Sequence, residues 1–361
     1  MSFIPQSEPW FDENEANALK AYIESQGWGT EFKKTAELEA ALQDFTGARH
    51  CIMTTSGTVS LTLAFLALGI NAGDEVIVPD LTMIATANAA KLIGAVPVFV
   101  DVEPQTLNVD LSLVEAAITP RTRAVVHVSL NGRSNDLPAL RALCRKARVA
   151  LVEDAAQSLG SYHGSAHLGT IGDIGCLSFS TPKIISTGQG GAVMVNDDAL
   201  AAKVRTLKDF GRASGGNDIH DTIGFNFKFT DFQAVIGLEQ MKKLSWRLDR
   251  KKEIWQRFRE QLSGIDDISW IDTDTDFVAP WFIDIFVEDR DNLAQHLKEN
   301  HIGSRPIYPP LHSQKAYGRD ELSFPVTEQF AARGLWLPSS SKLQNSEIDH
   351  IAATIRSFCN G

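Results

Sequence analysis

Residues 152–191 read VEDAAQSLGSYHGSAHLGTIGDIGCLSFSTPKIISTGQGG, and the reading of this stretch decides the fold. The apolar run Val149–Glu153 closes on two acids, as a buried strand does when it emerges at the carboxyl edge of a parallel sheet. A second run, Cys176–Ser180, stops just before Lys183, and a third, Ala192–Asn196, follows a Gly-rich loop. Upstream stand four more short apolar runs: Cys51–Thr55, Glu75–Pro79, Val96–Val102 and Arg123–Val128. Helical periodicity fills the gaps between the first five runs, at Thr58–Leu68, Thr82–Ile93, Leu111–Ile118 and Leu137–Ala147. The pattern predicts an α/β fold with a mostly parallel seven-stranded sheet between helices. Glycine loops rather than helices separate the last three runs, so one edge strand is expected to run antiparallel.

Downstream, DDALAAKVRTLKDF reads as a helix and GRASGGNDIHD as an exposed loop. One long helix is expected from Asp231 to about Leu262, with Phe232, Val235, Ile236, Leu238, Met241 and Leu244 on its buried side. From residue 263 the pattern turns β-rich (ISWI, APWFIDIFV) and then helical (DNLAQHLKEN, and Ser346–Phe358). The expected division is a large α/β domain over residues 1–262, carrying the N-terminal segment and the long helix, and a smaller α+β domain over residues 263–361.

Composition narrows the function classes. A formal charge of −11 has the wrong sign for a protein held to nucleic acid by neutralising phosphates. The start, MSFIPQSEPWFDENE, lacks a basic segment followed by an apolar one, and LTLAFLALGI is too short to cross a bilayer. A cytoplasmic protein with no membrane partner is expected. Cys51, Cys144, Cys176 and Cys359 are too dispersed for a zinc or redox motif and read as buried thiols, and the nine histidines show no ligand spacing, so no metal is expected.

Three signals fall on loops at the carboxyl ends of strands, where such sheets place their sites. Thr55-Ser56-Gly57-Thr58 joins a strand to a helix, and its free N–H groups and hydroxyls suit a phosphate, although an ordinary N-cap looks the same. Asp154 is placed to hold a protonated ring nitrogen, with Gln157 beside it, and a capping aspartate looks the same here too. Lys183, just past a buried strand and among small residues, is placed to be desolvated, which lowers its pKa and makes it a nucleophile towards aldehydes.

In order and spacing the three signals resemble a pyridoxal-phosphate enzyme of fold type I, and the chain is most similar to the DegT/StrS-type sugar aminotransferases. The resemblance runs from about residue 10 to the C-terminus. It is carried by SGT at Ser56–Thr58, GDEVIVP at Gly73–Pro79, TMIAT at Thr82–Thr86, EDAAQ at Glu153–Gln157, GTIGD at Gly169–Asp173, SFSTPK at Ser178–Lys183, GQGG at Gly188–Gly191 and GFNFK at Gly224–Lys228. It implies that Lys183 bonds the cofactor aldehyde, that Asp154 pairs with the ring nitrogen and that Gln157 lies near the ring hydroxyl. Gly57, Thr58 and Ser178, with Ser56 in the same turn, would hold the phosphate, and Met83 stands where relatives often stack an aromatic residue on the ring. Asn226 would reach the cofactor phosphate of a neighbouring subunit, which implies a homodimer with shared active sites. Lys228, Arg305, Tyr308 and His312 are the implied substrate contacts.

The implied activity is transfer of an amino group from an amino acid, L-glutamate first among them, to a nucleotide-linked 4-keto-6-deoxyhexose in aminosugar or surface polysaccharide synthesis. Met83, Asn131, Gln189 and Lys228 depart from the family pattern on the substrate side. They leave open an enzyme of the same fold acting on a smaller phosphorylated ketone or amino acid. A catalytically idle binding protein is the other alternative, and the intact Lys183, Asp154 and Gln157 argue against it. The alternation of Phe225, Phe227 and Phe229 reads as core packing rather than base stacking.

Overall fold

The computed structural model describes residues 2–212 and 218–359. Two helices, α1 (Glu13–Glu24) and α2 (Lys33–Thr46), precede a run of alternating strands and helices. These are β1 (His50–Thr54), α3 (Gly57–Ala67), β2 (Glu75–Pro79), α4 (Ala85–Leu92), β3 (Val96–Val100), α5 (Leu111–Ala117), β4 (Thr122–Val128), α6 (Leu137–Ala147) and β5 (Ala150–Asp154). A two-residue hairpin, β6 (Tyr162–His163) and β7 (Ala166–His167), leads to β8 (Ile174–Ser178), β9 (Gly191–Val195) and α7 (Asp198–Lys208). Then come α8 (Asp231–Lys242), α9 (Leu244–Gln261), β10 (Ile268–Ser269), β11 (Ile283–Val287) and α10 (Arg290–Glu299). The chain closes with β12 (Arg305–Pro306), α11 (Pro325–Arg333), β13 (Gly334–Leu337) and α12 (Asn345–Cys359).

The expected seven-stranded sheet is present, in the order β1-β9-β8-β5-β4-β2-β3. Its strands are apolar on both faces because both faces are covered. On β2, Val76 and Val78 pack with Leu63 and Phe65 of α3, while Ile77 between them packs with Val125, Leu137 and Leu140 on the other side. The antiparallel strand is not at the edge. It is β9, which runs antiparallel to both β1 and β8, so the edge strand β1 regains the direction of the rest. The Gly-rich return after β8 turns the chain back beside its own strand, and a short return can only make an antiparallel neighbour.

A second, four-stranded antiparallel sheet has the order β10-β11-β13-β12. Ile283, Ile285 and Val287 of β11 pack against Leu293, Ile348, Ile351 and the α9 residues Ile254 and Phe258. The alternate residues Phe282 and Phe286 join Trp336 and Tyr308 in the core that continues into the larger sheet. Asp284 sits on that same inner side and forms a buried pair with Arg133, Nη2 to Oδ2 2.7 Å. A carboxylate at so buried a position requires this partner.

The helix expected over residues 231–262 is two helices, broken at Lys243, which lets α8 lie on α1 and α2 while α9 runs on to α12. Its buried face matches the expected one in part: Val235 and Leu244 are buried, and Leu238 and Met241 pack half-buried against the core. Ala234, Gly237 and Gln240 point inward and Phe232 is 40% exposed. Close approach explains this, since a Cβ on Gly237 would come within 2.7 Å of Leu38. Of the three alternating phenylalanines only Phe229 is core, and Phe225 is exposed and stacked on Phe227. Cys51, Cys144 and Cys176 are buried free thiols, and Cys359 is half-buried. Residues 213–217 of the expected Gly-rich loop lie outside the described residues. Among the described residues no helix is long and apolar enough to cross a membrane, and no three ligating side chains form a group able to hold a metal.

Candidate active site

The carboxyl ends of β1, β5 and β8 open into one cavity of about 290 Å³. Ser56, Gly57 and Thr58 line its one end, Asp154, Gln157 and Ser178 its wall, and Lys183 its floor. The sequence separates these groups by up to about a third of the chain, and parallel strands bring them together because their exits share one edge.

At the first end, Ser56 caps α3, its Oγ accepting from Val59 N–H at 3.2 Å. The first N–H groups of a helix have no partner within it, and here they face the cavity as a positive end. The turn has no slack. A Cβ on Gly57 would lie 2.9 Å from Ser178 Cβ, and one on Gly191 would lie 2.4 Å from the Ser56 carbonyl. Helix start and strand therefore approach closely enough for backbone and the Ser178 hydroxyl to share one anion.

Asp154 ends β5 and is buried, and burial raises its pKa. Thr86 Oγ1 donates to its Oδ2 at 2.7 Å, and Ala156 N–H donates to its Oδ1 at 3.2 Å. These bonds and the charge of Lys183 pull the carboxyl back towards ionisation. Such a carboxylate wants a further cation in the cavity, which a protonated ring nitrogen provides.

Gln157 is fixed from two sides. Its Oε1 accepts from Asn131 N–H at 3.0 Å, and its Nε2 lies 3.4 Å from the Tyr308 hydroxyl. Burial lowers the Lys183 pKa to about 8 while the opposite charge of Asp154 works the other way. About a tenth of this amine is therefore neutral, and nucleophilic, at pH 7, several hundredfold more than for an ordinary lysine. Together these groups fit pyridoxal phosphate: an anion cradle, an aldehyde-seeking amine, a carboxylate for the ring nitrogen and an amide along the wall.

Met83, Arg305 and Tyr308 also line the cavity, Met83 and Arg305 being exposed at its mouth. His312 stands apart. Its Nδ1 lies 2.6 Å from Asp80 Oδ2, and its backbone N–H donates to Asp80 Oδ1 at 2.8 Å. Asn226 is exposed and pairs with Asp209 on an isolated bridge, outside the cavity of its own chain. Lys228 lies beside it, its Nζ 2.8 Å from Asp209 Oδ1. Sequence reasoning missed Thr86, Ser180 and Trp281. Thr86 falls inside the quoted TMIAT segment, but only the fold, which brings it to Asp154 across 68 positions of sequence, reveals that it hydrogen-bonds that carboxylate.

The chain matches the DegT/DnrJ/EryC1/StrS aminotransferase family over residues 9–356. It is similar to the GDP-perosamine synthase of Vibrio cholerae, 33% identical over 99% of each chain, and to that of Escherichia coli O157:H7, 32% identical over 99% of each. A Streptococcus pneumoniae structure in a PLP-form superposes with a TM-score of 0.93 at 28% identity, covering 99% of both chains. Aminotransferases of this kind use pyridoxal 5'-phosphate, a group that the lining of the cavity fits. The chain therefore belongs to the DegT/DnrJ/EryC1/StrS aminotransferase family and is a pyridoxal-phosphate-dependent aminotransferase.

Proposed function

We propose that this protein moves an amino group from an amino acid, most simply L-glutamate, to the ketone of a nucleotide-linked 4-keto-6-deoxyhexose. The observation that carries the reading is the convergence of Lys183, Asp154 and the Ser56–Thr58 helix start on one cavity whose mouth stays open at Arg305. GDP is the first nucleotide to try, since two relatives aligned end to end are named for a GDP-linked product.

Bound in the cavity, pyridoxal phosphate supplies the aldehyde that captures the amine and a protonated ring that withdraws electrons from the amine-bearing carbon. The chain supplies the rest. The α3 N-terminus, with Ser56, Gly57, Thr58 and Ser178, holds the phosphate. Asp154 holds the proton on the ring nitrogen, and Gln157 orients the ring. Lys183 Nζ, once free, takes the proton from the amine-bearing carbon of the donor and returns it in the opposite half of the cycle. Met83 covers the ring, and Arg305 and Tyr308 face the incoming substrate. Lys228 and His312 serve as substrate contacts only if a second subunit or a bound sugar redirects them from Asp209 and Asp80.

The reading includes a homodimer with shared sites and a cytoplasmic setting. Trp28, Phe32 and Phe232 are 65%, 55% and 40% exposed, and Phe210 and Phe225 add two more exposed rings near the Asn226 segment. Apolar surface gathered beside an open site favours a second copy of this chain, and Asn226 on that surface would reach the partner's phosphate. Buried, unpaired thiols suit a reducing compartment.

To test the substrate, the protein is incubated with L-glutamate and GDP-4-keto-6-deoxymannose, then with its TDP-linked 4-keto-6-deoxyglucose counterpart, and products are weighed by mass spectrometry. An amino sugar in place of the ketone is expected, and no amination of any nucleotide-linked ketone would refute the assignment. For the shared site, mixing Lys183→Ala with Asn226→Glu should form heterodimers with one intact site, so activity returns. No recovery despite subunit exchange would place Asn226 elsewhere.

A further inference from the structure

Trp281 stands just before β11, in the four-stranded sheet, and its ring lines the cavity. Lys183 Nζ lies 3.8 Å from the centroid of that ring, and the indole Nε1–H donates to the Pro182 carbonyl at 2.8 Å. One side chain thus grips both the amine of residue 183 and the backbone that leads to it. The indole itself is clamped. Phe282 stacks on it at 3.8 Å with an interplanar angle of 18°, Trp336 meets it edge-on at 5.8 Å, and Lys251 Nζ donates to its carbonyl at 2.6 Å. At 3% exposure it has nowhere to swing.

An aromatic face carries partial negative charge, so it attracts an ammonium and not a neutral amine. We propose that Trp281 is a positioning residue that holds the amine of Lys183 beside the reacting carbon while it is not bonded to the cofactor, and that its ring stabilises the ammonium this amine becomes once it has taken the proton. The proposal rests on the reading that Lys183 is the amine that bonds the cofactor and later moves the proton. This hold keeps the freed amine within reach of the reacting carbon, and it works alongside Asp154.

Other charged and titratable groups also face this amine. Asp154 stands at the end of β5, and Arg305 and Tyr308 lie across the cavity. Behind it a small cavity holds Arg247, Lys251 and Glu8. Arg247 opposes a charge on Lys183, and Lys251 does so only in part, since burial and Arg247 lower its own pKa to about 7. Burial and Asp154 already bracket the amine at about 8, and loss of the ring should lower it further.

The test uses protein stripped of cofactor. Lys183 is acylated with acetic anhydride across a pH series, and the labelled peptide is quantified by mass spectrometry, which gives the pH of half-maximal labelling. Trp281→Leu should lower that midpoint by about one unit, a tenfold gain in neutral amine at neutral pH. Trp281→Phe should lower it by less than half as much. Growth on fluorinated tryptophans, which drain the ring face at nearly constant size, should lower the midpoint further with each added fluorine. A midpoint that is unchanged or raised in Trp281→Leu protein of native circular dichroism would overturn the proposal. So would a flat fluorine series, which decides the matter if the leucine variant does not fold. The midpoint is read without cofactor or substrate, so a failed aminotransferase assay would not alter it.

Discussion

Glu153 and Asp154 are neighbours on β5, both buried, and they do opposite work. Glu153 points to the back of the sheet edge, where its oxygens accept from Gly169 N–H and Ile171 N–H at 2.7 Å each and bind the turn that leads into β8. Asp154 points to the front, keeps only Thr86 Oγ1 and Ala156 N–H as donors, and faces Lys183 across the cavity. Burial raises the pKa of both. The back acid has its donors built into the chain, whereas the front acid is left wanting a cation. The difference shows how alternation along one strand separates a carboxylate tied to a backbone turn from one that faces the cavity within a single dipeptide.

The strongest way to break this comparison is on the front face. Lys183→Ala should abolish transamination and the visible absorbance of cofactor-loaded protein while leaving the thermal midpoint close to that of the parent, as absorbance and calorimetry would show. Below pH 8 the rate at which stripped protein captures pyridoxal phosphate should climb about tenfold per pH unit and then level off, because burial lowers the amine to about 8 and only its neutral form attacks. A rate flat between pH 6 and 9 would place the attacking group elsewhere.

Next in size is Asp154→Asn. Cofactor should still bind through the untouched phosphate cradle, but kcat should fall about a thousandfold, roughly 4 kcal/mol of transition-state stabilisation. The matching change behind the sheet, Glu153→Gln, should do the reverse. It sets an NH2 group against a backbone N–H that now has a carboxylate, so stability should drop by about 2 kcal/mol in denaturant titrations while kcat per folded molecule stays near normal. A large kcat loss with unchanged stability in that variant would erase the distinction. The smallest effect belongs to Thr86→Val, which removes one hydrogen bond to the Asp154 charge and should cost about 1.5 kcal/mol, near tenfold in kcat.

The sequence displays the front of the site better than its surroundings, for physical reasons. Strands buried on both faces read as unbroken apolar runs, so all seven large-sheet strands lie within a residue or two of where the pattern puts them. Strand direction is set by the return path, which is why the position of antiparallel β9 was not legible. Ser56, Asp154 and Lys183 are legible as candidates because each lies at the carboxyl end of a strand or within five residues of it. Trp281 is not, since it lies 99 positions from the Pro182 carbonyl that it holds and arrives from the other sheet. The break at Lys243 and the exposure of Phe232 were hidden for a related reason. Periodicity reports which residues are apolar, but only packing against α2 reveals that the small face of α8 is the one turned inward.

The central claim is that Lys183 at the front of the sheet is the residue that bonds the cofactor. The holoenzyme is reduced with borohydride, digested, and searched for the peptide that carries the pyridoxyl mass. The label is predicted on Lys183 alone, and a label on Lys208 or Lys251, the buried lysines among the described residues, would contradict the account.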